Sequence, residues 1–145
     1  IQRIVSQTFG LPPHQLHFTM VTQMTRYRPF VKFQEFRHVD KVRSVACIVT
    51  SILWLSTHNK DFSGGLLEFL NGPGPQPYTP IYIEPKLGRF AAWTSGYESP
   101  HGVSEVYWGS RVAIIFAFTV NPKLGYNTID DLRKFASNTS NPLYY

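Results

Sequence analysis

The sequence predicts a mainly β protein, a sandwich or barrel of short strands with one helix at its N-terminal side. Three observations lead there. Eleven Phe, eight Tyr and three Trp in 145 residues supply side chains that favour pleated, half-buried surfaces. A succession of short apolar segments is closed, one after another, by glycine or proline signals, the punctuation of an all-β architecture. The length is room for one domain around a single core, and residues 1–145 are taken as that domain.

The elements follow in order. Ile1, Ile4, Val5 and Phe9 stand at helical spacing until Gly10 and Pro12-Pro13 stop them, so the chain opens within an amphipathic helix and is expected to be a fragment of something longer. Leu16, Phe18 and Met20 alternate, which predicts a strand over 16–25. Residues 27–35 mix aromatic and basic side chains around Pro29 and fit an edge strand or a loop equally. A short extended piece is expected at 36–42, then a long, doubly buried central strand at 45–55. Residues 56–63 form a polar turn, Gly64-Gly65 delivers a strand at 66–70, and the Gly/Pro-rich run 71–77 is a loop. Further strands are predicted at 81–84, 89–94, 105–108 and 111–120, the last ended by Asn121-Pro122. A helical turn or two is expected at 130–135, with a loose tail beyond.

Composition narrows the function classes. Fourteen Lys and Arg against nine Asp and Glu leave a formal charge of +5. Arg26, Arg28, Lys32, Arg37, Lys41 and Arg43 crowd one region. That crowding suits a solvated basic face first and an anionic partner second, with nucleic acid the weaker reading. Cys47 is the sole cysteine; it excludes an intrachain disulfide and any cysteine-based zinc site, and its apolar setting predicts a small buried hydrophobe. No apolar run reaches the length of a membrane span. His14, His17 and His58 have no motif around them and read as structural or surface residues. Asn138-Thr139-Ser140 is a glycosylation acceptor pattern, usable only in a secretory compartment.

Chemistry concentrates in two places. His38 and Asp40 are two residues apart, a spacing that on an extended segment turns both side chains to one face. Joined by a second imidazole from elsewhere, such a pair makes the facial set that suits non-haem Fe(II), with positions left open on the metal. Structural zinc would call for a fourth protein ligand, and none is evident. Alone, a His-x-Asp triplet is weak, and a histidine in a β protein is more often a hydrogen-bonded structural residue. The ordered companions strengthen it: Gly64-Gly65, Pro85-Lys86-Leu87-Gly88-Arg89, His101-Gly102-Val103 and Gly109-Ser110-Arg111.

With those motifs in place the chain resembles the Fe(II)/2-oxoglutarate-dependent prolyl hydroxylase superfamily. The likeness rests on Arg37-His38-Val39-Asp40, Asp61-Phe62-Ser63-Gly64-Gly65, Pro85-Lys86-x-Gly88-Arg89, Ser95-Gly96-x-Glu98-x-Pro100-His101-Gly102-Val103 and Gly109-x-Arg111. It spans residues 11–122, and residues 96–122 are especially similar to the leprecan-type prolyl 3-hydroxylases. The resemblance implies a double-stranded β-helix, or jelly roll, with iron held by His38, Asp40 and His101. It implies that Arg111 pairs with the far carboxylate of 2-oxoglutarate, a task suited to a planar guanidinium fork. Arg111 is expected on the strand after His101. Trp54 stands where many members carry a tyrosine that touches the co-substrate. Ala117 replaces a tryptophan and Ile115 a threonine, with Thr119 or Ser56 as candidate sources of a hydroxyl. Arg37, beside the ligand pair, is expected on the opposite face, where it steers substrate or pairs locally.

The implied activity is hydroxylation of a C–H bond in a protein or peptide, with proline one candidate, coupled to decarboxylation of 2-oxoglutarate to succinate. Fe(II), 2-oxoglutarate and O2 are the implied cofactors, with ascorbate as a candidate reductant. Relatives of this type imply membrane attachment through segments outside residues 1–145, and the endoplasmic reticulum or secretory pathway as location. Two competing readings remain: a barrel that keeps the fold and only binds, and an oxygenase of nucleic acid.

Overall fold

The computed structural model describes residues 1–19, 22–30, 37–70 and 79–126. The expected loop at 71–77 and helical turn at 130–135 lie outside the described residues. Two layers of antiparallel sheet face one another. The larger is built on its longest strand, β10 (Arg111–Thr119). One edge of β10 pairs with β3 (Val49–Trp54), which in turn pairs with β7 (Phe90–Thr94). The other edge is shared end to end by β1 (His17–Phe18) and β2 (Gln23–Tyr27). The second layer consists of β4 (Phe62–Gly64) paired with β9 (Val106–Gly109), and of β6 (Ile81–Ile83), β5 (Leu67–Phe69) and β8 (His101–Val103) in that spatial order. This is the expected jelly roll.

Strand alternation decides what faces inward. Thr50, Ile52 and Trp54 share one face of β3, and Arg111, Ala113, Ile115 and Ala117 share one face of β10. Cross-strand register lines them up as Ala117–Thr50–Trp93 and Ile115–Ile52–Ala91. The opposite face is not left to water. Helix α1 (Gln2–Phe9) brings Val5 and Phe9 onto Val49, Phe118, Leu16 and Phe116. The cluster explains why β3 is buried on both faces, as expected of a long central strand.

Several elements differ from the sequence expectation. Where one strand is expected over 16–25, two are found, β1 ending at Phe18 and β2 beginning at Gln23, and Thr22 N donates to Thr19 O at 3.2 Å. The central strand begins at Val49, since residues 44–47 are taken up by a turn closed by Cys47 N on Ser44 O. The short strand β8 carries too few residues to show alternation and had no signature. Of the 36–42 piece, the described residues are extended at Val39, and Asp40–Arg43 forms a single helical turn, α2. No helix among the described residues is long and apolar enough to cross a membrane.

Candidate active site

The Gly64-Gly65 pair shows how sequence sets the site. Both adopt left-handed backbone, φ 71° and 63°. A Cβ on Gly64 would lie 1.8 Å from the Glu105 carbonyl oxygen, and one on Gly65 would lie 2.9 Å from Arg111 Cδ. Only glycine lets β4 turn this close to β9 and leaves room for the arginine behind it. The Gly65 carbonyl then accepts the Arg111 Nε hydrogen at 2.8 Å. Arg111 is fully buried. Its guanidinium carbon lies 5.4 Å from the centre of the Tyr27 ring, its register partner across the β10–β2 pair.

At the other end of the same cavity the backbone brings two histidines together. His38 and His101 exchange both backbone hydrogen bonds, His38 N to His101 O at 2.8 Å and the reverse at 3.0 Å, so His38 adds one further rung beside β8. Val39 keeps the chain extended, and Asp40 starts α2. Lys41 N binds the Ser95 carbonyl at 2.9 Å and ties α2 to the end of β7. The expected meeting of His38 and Asp40 therefore occurs by a different local route: a strand-to-helix switch, rather than two residues of one extended segment.

His38 Nε2 lies 3.3 Å from Asp40 Oδ1 and His101 Nε2 lies 3.7 Å from Asp40 Oδ2. One donor atom from each of the three residues falls within 4.8 Å of the others. His101 Nδ1 is 2.9 Å from the Ser99 carbonyl oxygen. A carbonyl only accepts, so Nδ1 carries a proton, which makes Nε2, on the side of Asp40, the atom a metal would take. Trp93 Nε1 donates to Asp40 Oδ2 at 3.1 Å, and the Trp93 indole meets the His101 ring edge-on with centroids 4.9 Å apart. Burial alone would raise the Asp40 carboxyl. The His38 hydrogen bond, the nearby His101, Thr50 and Trp93 outweigh it and hold the group below its ordinary range. Two imidazoles and an ionised carboxylate on one side of a cavity fit a hexacoordinate divalent ion with open positions.

The cavity between these ends is walled by Gln23, Tyr27, Thr50, Ile52, Leu67, Trp93, Val103, Ile115 and Ala117, with His38, Asp40, His101 and Arg111 at its functional points. Cys47 also lines it while remaining almost fully buried, and burial pushes its thiol up. The structure thus brings His38, Asp40, His101 and Arg111 to one cavity. Arg111 lies two strands beyond His101, because β9 intervenes, not on the next strand. Trp54 is set apart: its indole belongs to the core cluster with Ile52, Leu67 and Ala113, its Nε1 has no hydrogen-bond partner among the described residues, and it is absent from the cavity wall. The aromatic ring nearest Arg111 on that wall is Tyr27. Arg37 is exposed, outside the cavity, in a neighbouring hollow with His38 and Val42. Ser56 exchanges hydrogen bonds with the backbone of Val112; the hydroxyl-bearing residues on the cavity wall are Tyr27, Ser44 and Thr50.

Sequence reasoning missed Tyr27, Thr50 and Trp93 as cavity residues. Alternation of Thr50 with Ile52 and Trp54 contained the signal for Thr50. Tyr27 and Trp93 reach the site through strand register, which no local pattern encodes.

The profile of the 2OG-Fe(II) oxygenase superfamily matches residues 22–119. The chain is 35% identical over 130 residues to the Homo sapiens "2-oxoglutarate and iron-dependent oxygenase domain-containing protein 3", covering 86% of this chain and 39% of that protein. It is 41% identical over 64 residues to Homo sapiens prolyl 3-hydroxylase 2, covering 44% of this chain and 9% of that protein. Among solved structures, a Burkholderia pseudomallei oxidoreductase of the 2OG-Fe(II) oxygenase family superposes with a TM-score of 0.65 at 18% identity, over 87% of this chain and 52% of that one. A Trichoplax adhaerens prolyl hydroxylase in complex with a hypoxia inducible factor peptide fragment superposes with a TM-score of 0.51 at 25% identity, over 70% of this chain and 46% of that one. The chain spans about two fifths of the length of the first of these relatives.

Proposed function

Since the chain belongs to the 2OG-Fe(II) oxygenase superfamily, we propose that it is an Fe(II)- and 2-oxoglutarate-dependent dioxygenase that hydroxylates a C–H bond of a protein or peptide, with proline one candidate residue. One observation carries the reading: three metal-donor atoms within 4.8 Å of one another share a cavity with a fully buried arginine. His38, Asp40 and His101 hold the iron. When bound, Fe(II) supplies the redox chemistry that couples decarboxylation of 2-oxoglutarate to oxidation of the substrate.

The chain's own residues do the rest. Ser99 fixes the His101 tautomer, and Trp93 restrains one Asp40 oxygen so that the carboxylate keeps its orientation. Arg111, with Nε committed to Gly65, presents a cation to the distal carboxylate of the co-substrate. Tyr27 lies beside that guanidinium. Ile52, Leu67, Val103 and Ile115 wall the cavity with apolar surface, which excludes bulk water and strengthens the charge pairing inside.

The test is anaerobic titration with Fe(II), read by elemental analysis, followed by succinate formation from 2-oxoglutarate in air. The parent protein should bind one iron and release succinate. His101→Ala should lose both; stoichiometric iron in that variant would remove His101 from the ligand set. Iron and co-substrate binding without any succinate would instead identify a binding module.

A further inference from the structure

Asp40 opens a helix of only four residues, so its own element does little to hold it. The hold comes from the end of β7. Ser95, the residue after that strand, is 1% exposed and grips α2 and the sheet at once. Its carbonyl accepts from Lys41 N at 2.9 Å, and its own N–H donates to the Ile48 carbonyl at 2.9 Å. Its hydroxyl lies 2.8 Å from the Thr50 hydroxyl, and both side chains are buried. Register makes this meeting: Thr50 pairs with Trp93 across β3 and β7, and Ser95, two residues on, keeps to the same side.

The order of protons along this path follows from the acid at its end. An ionised carboxylate only accepts. Asp40 is kept ionised: burial works against the charge, and the hydrogen bonds of His38, Thr50 and Trp93, with His101 nearby, more than offset it. Thr50 therefore gives its single proton to Asp40. In the 2.8 Å contact with Ser95 the Thr50 oxygen must then accept, so Ser95 donates. The path runs from the Ser95 hydroxyl to the Thr50 hydroxyl to the Asp40 carboxylate, each donor pointing toward the metal site. Hydroxyls linked in this way polarise one another. Trp93 Nε1 reaches Asp40 Oδ2 from the same strand. Residues 93–95 thus hold the Asp40 side chain by two routes and its helix by a third.

We propose that Thr50 and Ser95 are positioning residues for the candidate metal donor Asp40. The buried hydroxyl pair sets the direction of the carboxylate before a metal arrives, Thr50 acting on it and Ser95 acting through Thr50. The inference rests on the reading of His38, Asp40 and His101 as metal donors, and adds to it the pair that preorganises one of them. It also gives a reason for a hydroxyl on β3. Thr50 shares its face with Ile52 and Trp54, and a polar group buried among apolar neighbours is costly unless it is partnered.

The experiment is Mn(II) titration of the chain, with free ion read by electron paramagnetic resonance and folding checked by circular dichroism. Thr50→Val keeps the shape and deletes the hydroxyl, and Mn(II) affinity should fall about 10-fold. Thr50→Ser restores a donor and should bring the affinity back to within roughly twofold of the parent. Ser95→Ala should weaken binding roughly threefold in the parent. In the Thr50→Val background it should add nothing, because its effect passes through Thr50. A pair that only fills space would give the same Ser95→Ala loss in both backgrounds and no rescue by serine. Parent-like affinity in Thr50→Val, a Thr50→Ser variant as weak as Thr50→Val, or additive losses in the double variant would each overturn the proposal. Should Thr50→Val fail to fold, Thr50→Ala deletes the same hydroxyl and is judged by the same outcomes. The two readings fail distinguishably. A parent chain that binds no Mn(II) defeats the metal assignment and this inference with it, whereas binding indifferent to Thr50 and Ser95 defeats only the inference.

Discussion

At the inner end of the cavity Arg111 opens the nine-residue strand β10 and is wholly buried, held by Gly65 and flanked by Tyr27. At the metal end, His38 sits on a single bridge and Asp40 on a four-residue helix, with 11% and 17% of their side-chain surface exposed. Only His101 is both in a strand and buried there. The proposed anchor for the organic acid is thus part of the core, while two of the three proposed metal donors are held by short local elements. A metal ion would add a further cross-link between β8, the bridge and α2, which would link folding of that end to metal binding. The inner end needs no such help.

Breaking the inner end should have the largest consequence. Arg111→Ala removes a buried side chain and leaves the Gly65 carbonyl without its donor, a loss on the order of 3 kcal/mol in unfolding free energy. The same change should raise the 2-oxoglutarate requirement by roughly 100-fold, the scale of losing charge-assisted bonds, while folded protein still binds one iron. Urea unfolding and a co-substrate titration check both, and an unchanged requirement would take Arg111 out of its role. Gly65→Ala strains the left-handed backbone and presses on Arg111 Cδ. It should destabilise by about 1–2 kcal/mol and weaken 2-oxoglutarate more than iron.

Smaller effects belong to the metal end. Trp93→Phe keeps a ring beside His101 but deletes the donor to Asp40 Oδ2. Iron affinity of the folded protein should fall by about 10-fold, measured by competition with a chelator, beside a loss of stability from the smaller ring in the core cluster. Equal iron affinity would mean that the carboxylate is oriented without Trp93. The smallest is a pH effect in metal-free protein. Asp40 is held below its ordinary range, so its ionised form stabilises the fold above its unfolded value and that contribution disappears as pH falls through the folded one. Asp40→Asn should therefore be less stable than the parent near neutrality and converge with it in acid. A constant gap across pH would show that Asp40 acts through shape rather than charge.

Part of the candidate site was legible in one dimension: His38 and Asp40 through their short spacing, and His101 and Arg111 through motifs that resemble a family. His38, Asp40, His101 and Arg111 stand in motifs, and the strands near 81–84, 89–94, 105–108 and 111–120 were marked by alternation and by glycine or proline ends. Trp54 was misleading for a physical reason. It shares a face with Thr50 and Ile52, so its orientation was readable, but its depth along β3 puts it in the core below the cavity. Asp40 was expected on an extended segment, and no cap or periodicity marks a helix of four residues.

The sequence by itself determined a mainly β class of short strands and the His38–Asp40 spacing, since alternation, turn glycines and residue spacing are local properties of the chain; the jelly roll, His101 as third donor and Arg111 as anchor were implied by the resemblance of its motifs to a family. Tertiary structure alone decided which residues complete the site. Tyr27 meets Arg111 and Trp93 meets Asp40 because β2 and β7 pair in particular registers with β10 and β3. Register is a property of two distant segments together, set by how their faces fit a common core, and neither segment carries it alone.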